Sequence, residues 1–544
     1  MPHIGSVRTS RLSRIDRPRY PRPMLNSLIL YLLVLPWLNP FAPGPSPAAM
    51  PLLFSWGCAL SLLGLQCWQR GAPARGRFVD NVAGAWLVAG LLSSAIGLLQ
   101  YFGAVSGFDP WLNQTAVGEA FANLRQRNQF ATLTNMALAA LLWWAHRLSL
   151  ASPAPGTSGK GGSMAWPTLP WWRAAVVPLT GLAAALLAAG NAASSSRTGL
   201  LQLVALVALV LFWGGWRHRA VRRVLVVAAV GYAVAVVALP WLAGFDLGSQ
   251  SMFARLRDGA PACSSRWLLW SNVLELIAQK PLGGWGWGEL DYAHYSHLYA
   301  GPRFCEILDN AHNLPLHLAV ELGLPVAVLA CGGLLWCVWR QRPWREADPT
   351  RQLAWAVLAV VALHSLLEYP LWYGPFQMAV VLCVVLLWRQ PQATLGEEKQ
   401  PNKPLVQVFT ACIAAFLIAF VAYAAWDYRR VSQIYLESSE RDPSLREDTL
   451  AKISSTWLFR NQFLFAQLGV TPLTRENAQW TYHTATALLH YSPEPRVIER
   501  AIESATLLGM DAEAVAHLAR LRAAFPKEYG QWSSARKAQD ARPL

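Results

Sequence analysis

The chain has 544 residues, of which 54% are hydrophobic and 14% charged, with 27 Trp, a balance that excludes an ordinary soluble globular protein, where about a quarter of residues carry charge. A formal net charge of +15 invites a nucleic-acid reading, but its distribution excludes one. From Asp427 to Leu544 there are 15 Lys and Arg against 14 Asp and Glu, so the excess lies in short connections between apolar runs, where it reads as a topology signal.

Apolar runs approaching the roughly 20 residues that cross a bilayer predict an all-α, polytopic membrane helical bundle. After a basic N-terminal segment, 1–23, about eleven spans are expected, over 24–41, 49–68, 82–103, 129–146, 174–192, 199–216, 224–243, 314–339, 352–369, 373–388 and 405–426. The first run contains Pro36 and Pro40 and lacks a small-residue cleavage site, so it reads as a membrane crossing rather than a secretory leader. With the N-terminus inside, the inner connections hold 23 Lys and Arg and the outer segments before the tail hold 8, which agrees with the positive-inside rule. The segment 148–170, rich in Ser, Gly and Pro, reads as a linker.

The same topology places segments 104–128, 193–198, 244–313 and 427–544 outside, which is the periplasm of a Gram-negative cell. The large loop 244–313 is rich in Trp, Tyr, Gly and Pro, and the tail 427–544 shows apolar residues at helical spacing among charges of both signs. The tail therefore reads as a soluble, repeat-like helical domain. Six of the eight cysteines (Cys58, Cys67, Cys331, Cys337, Cys383 and Cys412) fall in apolar spans and are expected to be buried thiols. Cys263 and Cys305 share the outer loop and are candidates for a disulfide. No Cys/His spacing suggests a metal site.

Five polar clusters stand at the ends of spans, where burial in lipid is costly. They are Arg125, Arg127, Asn128 and Gln129; Arg197; Arg266; His312 with Asn313; and His364, Glu368 and Tyr369. All map to the outer face under a topology assigned from other residues. Each alone is most simply a snorkelling or pairing side chain, but their joint placement points to a site. Guanidinium forks match phosphate oxygens two at a time, and a His can take a proton from an attacking hydroxyl. The residues reach a phosphate-handling site with a base on the outer face.

The stretches "RQRNQFATL" (125–133), "SSRTGLL" (195–201), "SRWLLWSNVLELIAQKPLGGWGWGE" (265–289), "DNAHNLPLHLAVELGLP" (309–325) and "HSLLEYPLWYGPF" (364–376) occur in this order. On them the chain resembles the O-antigen ligase/polymerase superfamily and, within it, the PglL-type bacterial protein O-oligosaccharyltransferases. The resemblance implies that residues 24–426 form a metal-independent glycosyltransferase domain of the inner membrane that needs no cofactor. Its partners would be an undecaprenyl-diphosphate-linked oligosaccharide, a pilin-like periplasmic acceptor protein and the lipid bilayer. It implies that His312 activates the acceptor hydroxyl and that Arg197 and Arg266 engage the diphosphate. Arg125, Arg127, Asn128, Gln129, Asn313, Glu368 and Tyr369 are then candidates for an acceptor or glycan pocket. Glu321 is expected to be a structural or pocket residue. One departure is Arg125, where a small residue such as Gly is expected.

The same chemistry with a sugar hydroxyl of lipid A core or a growing O-antigen as acceptor is the alternative. A lipid transporter fits less well, because no broken helix or mid-membrane polar group is evident in the sequence. In "DNAHN", Asp309 or Asn310 is expected to cap the helix that follows, fixing His312 in its first turn. The positive helix end would favour the neutral imidazole that a base requires. His317 and Glu321, one turn apart, are expected to be a packing pair.

Overall fold

The computed structural model describes residues 22–68, 74–150, 170–245, 257, 262–388 and 404–540, and among them the only regular secondary structure is helical. The basic segment 1–21 and most of the 148–170 linker lie outside the described residues. Among the described residues, seven α-helices precede the 244–313 loop: α1 (Arg22–Leu38), α2 (Ala49–Trp68), α3 (Ala74–Tyr101), α4 (Arg127–Leu150), α5 (Pro170–Ala193), α6 (Arg197–Phe212) and α7 (Arg219–Leu242). The loop contributes α8 (Arg266–Gln279) and α9 (Leu290–Ser296). The chain returns to the bundle through α10 (Leu314–Leu322), α11 (Leu324–Gln341), α12 (Pro349–Ser365), α13 (Gly374–Trp388) and α14 (Pro404–Ser432). The tail forms α15 (Thr449–Ile453), α16 (Arg460–Val470), α17 (Ala478–Leu488), α18 (Pro495–Leu507), α19 (Asp511–Ala524) and α20 (Pro526–Asp540).

Helix is the form an apolar segment takes in lipid, because it satisfies every backbone N–H and C=O within the segment. Among the described residues, five helical stretches are long and apolar enough to cross a membrane: Arg77–Tyr101, Val176–Ala193, Arg219–Leu242, Leu324–Arg345 and Val406–Tyr435. Four shorter apolar helices join them: Met24–Leu38, Ala49–Leu65, Arg197–Phe212 and Gly374–Trp388. The chain is thus a helical membrane protein. Helix α4 stands at the centre, packed against α3, α5, α6, α7 and α12. Its Phe130, Leu133, Met136 and Ala137 are fully enclosed.

Three expectations need correction. The span expected over 314–339 is two helices, α10 and α11, broken at Gly323. Polar groups are also not confined to the helix ends. Asn135, about 12 Å below the start of α4 at 1.5 Å per residue, donates to the Gly199 carbonyl at 3.0 Å and accepts from Asn191 Nδ2 at 3.1 Å. Gln202 donates to Thr132 Oγ1 at 2.9 Å and to the Val360 carbonyl at 3.0 Å, and His364 Nδ1 meets Thr132 Oγ1 at 2.8 Å. This network ties α4, α5, α6 and α12 together by the partners that buried polar groups demand. Finally, only Cys58 and Cys383 are buried thiols, while Cys331 is half-buried and Cys337 and Cys412 are exposed. The reason is that α11 and α14 stand on the outside of the bundle, turning apolar faces such as Leu329, Trp336 and Phe416 outwards. The side chain of Cys67 lies outside the described residues.

Helices α4, α6, α8 and α10 all begin at one end of the bundle. Above that end the loop builds its own core from Leu269, Val273, Leu276, Leu290, Phe304 and Ala311. The tail forms a third core around Leu488, Ile498, Ala501 and Leu521, which Tyr295 of α9 enters. Tyr295 Oη bonds His517 Nδ1 at 2.7 Å, and His490 stacks on Tyr292 while its Nδ1 meets Glu289 at 2.6 Å.

Candidate active site

The helix-breaking glycine is also what holds the site's floor. Gly323 has φ +86°, and a Cβ there would lie 2.2 Å from the Leu282 carbonyl oxygen. Gly284, at φ +66°, would bring a Cβ within 2.3 Å of the Glu321 carbonyl oxygen. Two close backbone approaches of this kind admit only glycine. They let Trp285 and Gly286 donate to the Val320 and Glu321 carbonyls, each at 2.9 Å, and Leu324 donate to Pro281 at 2.8 Å. The "PLGGWGWGE" stretch thereby clamps the end of α10.

The other end of α10 carries His312. Asn313, not Asp309 or Asn310, is the cap: its Oδ1 accepts from Leu316 N–H at 3.1 Å, and its Nδ2 donates to the Leu366 carbonyl at 3.1 Å. Asn310 instead accepts from the His312 backbone N–H at 2.8 Å, a turn that holds His312 at φ +49° just ahead of the helix rather than in its first turn. Non-glycine residues with left-handed backbone are uncommon and cluster where function demands a fixed side-chain direction.

That direction is toward Glu368, which lies three residues beyond the end of α12 and is buried. His312 Nδ1 is 2.9 Å from Glu368 Oε2. Glu368 Oε1 accepts from Arg266 Nη2 and from Asn128 Nδ2, the latter at 3.0 Å, and Gln126 Nε2 reaches Oε2 at 3.3 Å. The Arg266 guanidinium and the Asn128 and Gln126 amides all donate to Glu368, the partners that favour the ionised form of a buried carboxyl. An ionised carboxylate only accepts, so His312 Nδ1 must carry the proton. In the neutral imidazole Nε2 then carries the lone pair, the arrangement of an oriented general base. Tyr369 packs edge-on against the imidazole, with 5.0 Å between ring centroids. Tyr373 stacks on Tyr369 and hydrogen-bonds to Gln129.

The two other arginines stand at helix starts. Arg266 follows the Ser265 cap of α8. Arg197 follows the Ser196 cap of α6, whose Oγ accepts from Gly199 N–H and donates to Asn128 Oδ1 at 2.6 Å. A chain of polar contacts therefore runs from Ser196 through Asn128 to Glu368. Arg197 itself is exposed and makes no hydrogen bond or ion pair among the described residues. It is a free guanidinium beside the cluster, suited to an anion.

Not every expected residue joins in. Arg125 takes left-handed backbone, φ +62°, at the position where a glycine was expected, and its guanidinium is bound to the Pro40 carbonyl. Arg127 pairs with Glu119 at 2.8 Å. Asn313 caps a helix, and His317 and Glu321 face one another in the interior with Nε2–Oε2 at 3.3 Å. Gln126, Ser196 and Tyr373 were missed by the sequence reading, although all three lie inside the quoted motifs. Cys263 and Cys305 are bonded to each other, with Cα atoms 5.4 Å apart. The bridge joins the turn leading to Arg266 and the irregular segment leading to His312.

Comparison with known proteins finds likeness along three stretches of the chain. The family described as protein glycosylation ligase matches residues 120–145, O-antigen ligase matches 182–331, and the C-terminal part of the virulence factor membrane-bound polymerase matches 352–539. A general O-oligosaccharyltransferase of Acinetobacter baylyi is 23% identical over 431 residues, covering 77% of this chain and 70% of the relative. A ComP-specific O-oligosaccharyltransferase of the same organism is 24% identical over 361 residues, covering 66% of this chain and 60% of that relative. No solved structure matches. The three matches follow one another along the chain and contain the site's polar residues, and together with the two relatives they identify the chain as a PglL-type member of the O-antigen ligase superfamily.

Proposed function

We propose that the protein transfers a preassembled oligosaccharide from undecaprenyl diphosphate to a Ser or Thr hydroxyl of a periplasmic protein such as a pilin. It would act in the inner membrane, with eleven crossings and the site facing the periplasm. The observation that carries this reading is His312 Nδ1 on the buried Glu368 carboxylate, beside the unpaired Arg197. In the reaction, His312 Nε2 takes the proton of the acceptor hydroxyl as its oxygen bonds to the anomeric carbon. The bond from that carbon to the diphosphate oxygen breaks, and the lipid diphosphate leaves. Arg197 and Arg266 offset the charge growing on the leaving group, which is the role preorganised cations play in such transfers, so that the step is metal-independent. Glu368 and Asn128 are positioning residues: the first orients the imidazole and keeps Nε2 basic, and the second links that carboxylate to the α6 cap.

A second acceptor class, a sugar hydroxyl on lipid A core or on a growing O-antigen, is favoured by the matches to O-antigen ligase and to the polymerase C-terminal region. Reconstitution with a lipid-linked oligosaccharide, supplying pilin and lipid A core in parallel, separates the two. Glycan on the pilin alone supports the first reading, and glycan on the core alone replaces it. Wild-type transfer by both His312→Ala and Arg266→Ala overturns the site.

A further inference from the structure

A cavity of about 280 Å³ opens at the end of the bundle opposite Glu368, between the last turns of α4 and α6 and the first turns of α7 and α12. Its wall is apolar, including Leu142, Leu206 and Leu353, and its rim carries His146 and His218. The two imidazoles meet edge to face with 4.4 Å between centroids. His218 precedes α7 without its side chain bonding back to the helix. Neither ring makes a hydrogen bond or an ion pair among the described residues.

The charge around the rim is positive. Glu346 lines the cavity, but its oxygens are engaged by Arg351 Nε at 2.7 Å and by the Ala347 and Asp348 N–H groups at 3.1 and 3.2 Å. Asp348 caps α12 by accepting from Thr350 N–H, and Asp80 is paired with Arg147. Arg217, Arg219, Arg222 and Arg223, within five residues of His218, are exposed and have no carboxylate partner among the described residues. Exposed Trp216, Trp339 and Trp388 stand at the same end of their helices. Trp with Arg at one level of a membrane bundle marks the headgroup zone, where basic pockets between helices select anionic headgroups. At about 30 Å³ per water the cavity holds roughly nine waters, room for a glycerol phosphate.

We propose that this cavity binds an anionic glycerophospholipid. The phosphate sits between His146 and His218, which donate N–H bonds to it, and the glycerol and first methylenes lie on the apolar wall. The site is separate from the transfer centre and does not depend on the reading given for it.

The test uses the full chain, purified and delipidated in neutral detergent, and titrated with phosphatidylglycerol, phosphatidylcholine and free glycerol phosphate by native mass spectrometry. Phosphatidylglycerol is expected to bind at least tenfold more tightly than phosphatidylcholine, with glycerol phosphate weaker than either. The double variant His146→Gln, His218→Gln is expected to lose the tenfold preference. Should that variant fail to fold, Ala356→Leu narrows the cavity with both imidazoles kept, and is expected to weaken phosphatidylglycerol tenfold. Equal binding of the two lipids overturns the proposal, as does a preference that survives both changes. Glycerol phosphate binding as tightly as the lipid also overturns it, making the cavity a site for soluble phosphate.

Discussion

His312 Nδ1 lies 2.9 Å from Glu368 Oε2, and in the proposed reaction this contact decides which imidazole nitrogen does the chemistry. Because the carboxylate only accepts, the proton stays on Nδ1 and the reactive lone pair is on Nε2. Glu368→Gln keeps the shape but presents an amide that no longer requires that tautomer. It is expected to lower kcat on the order of 10²–10³-fold, with the acceptor KM nearly unchanged, as loss of an orienting carboxylate does in other base-assisted transfers. Steady-state transfer with lipid-linked glycan and a purified acceptor measures it. An unchanged kcat removes Glu368 from the mechanism.

Arg197 has no intramolecular partner among the described residues, so its substitution separates function from folding. Arg197→Ala is expected to leave unfolding within about 0.5 kcal/mol, the usual range for an exposed site. Transfer is expected to fall at least tenfold through loss of a charged diphosphate contact, with Arg197→Lys recovering part of it. Thermal unfolding beside donor-concentration kinetics reads both quantities.

At Gly323, φ +86° and the approach to the Leu282 carbonyl forbid a side chain. Gly323→Ala is expected to cost more than about 1 kcal/mol from the left-handed backbone alone, with the clash added. Its α10 would shift, taking His312 with it, so a lower unfolding temperature should accompany lower transfer. A variant of normal stability and normal rate would show that the clamp has no such role.

Asp291 of α9 is buried, and burial, with the Asp309 and Glu289 charges adding to it, pushes its carboxyl up to about 7 against a bond from the Tyr292 N–H. A carboxyl raised in the folded state binds its proton more tightly there than in the unfolded chain. Its contribution to stability is therefore complete below about 4 and is lost as pH rises toward 7. Asp291→Asn should accordingly raise the unfolding temperature at pH 8 and leave it nearly unchanged at pH 4. The same change at both pH values would contradict the assignment.

Much of the site was legible because its residues are polar at span ends, where lipid leaves them few innocent roles. His312, Arg197, Arg266, Glu368 and Tyr369 all stand out in that way. The partition among them was not legible. Arg125 and Arg127 have the same residue type as Arg197 but are engaged by the Pro40 carbonyl and Glu119, and only folded geometry distinguishes a free guanidinium from a satisfied one. The cap was misassigned because Asp309, Asn310 and Asn313 are all good capping residues, and the turn at Asn310 decided among them. Hydropathy hid the depth of the polar network, since Asn135, Asn191 and Gln202 are single polar positions diluted by apolar neighbours. The break at Gly323 was hidden likewise, because leucines flank it directly and the run beyond it carries no charge as far as Trp339, with only His317 and Glu321 ionisable in the helix before it.

Glu368 collects its partners from distant parts of the chain: Gln126 and Asn128 at the start of α4, Arg266 at the start of α8, and His312 before α10. No two neighbouring elements suffice to fill its two oxygens. A chain inserted with one helix misplaced would leave this carboxylate short of a donor and the imidazole without its orientation. Under the proposed mechanism, competence for transfer is thus a report on complete assembly, and a half-built protein is chemically silent.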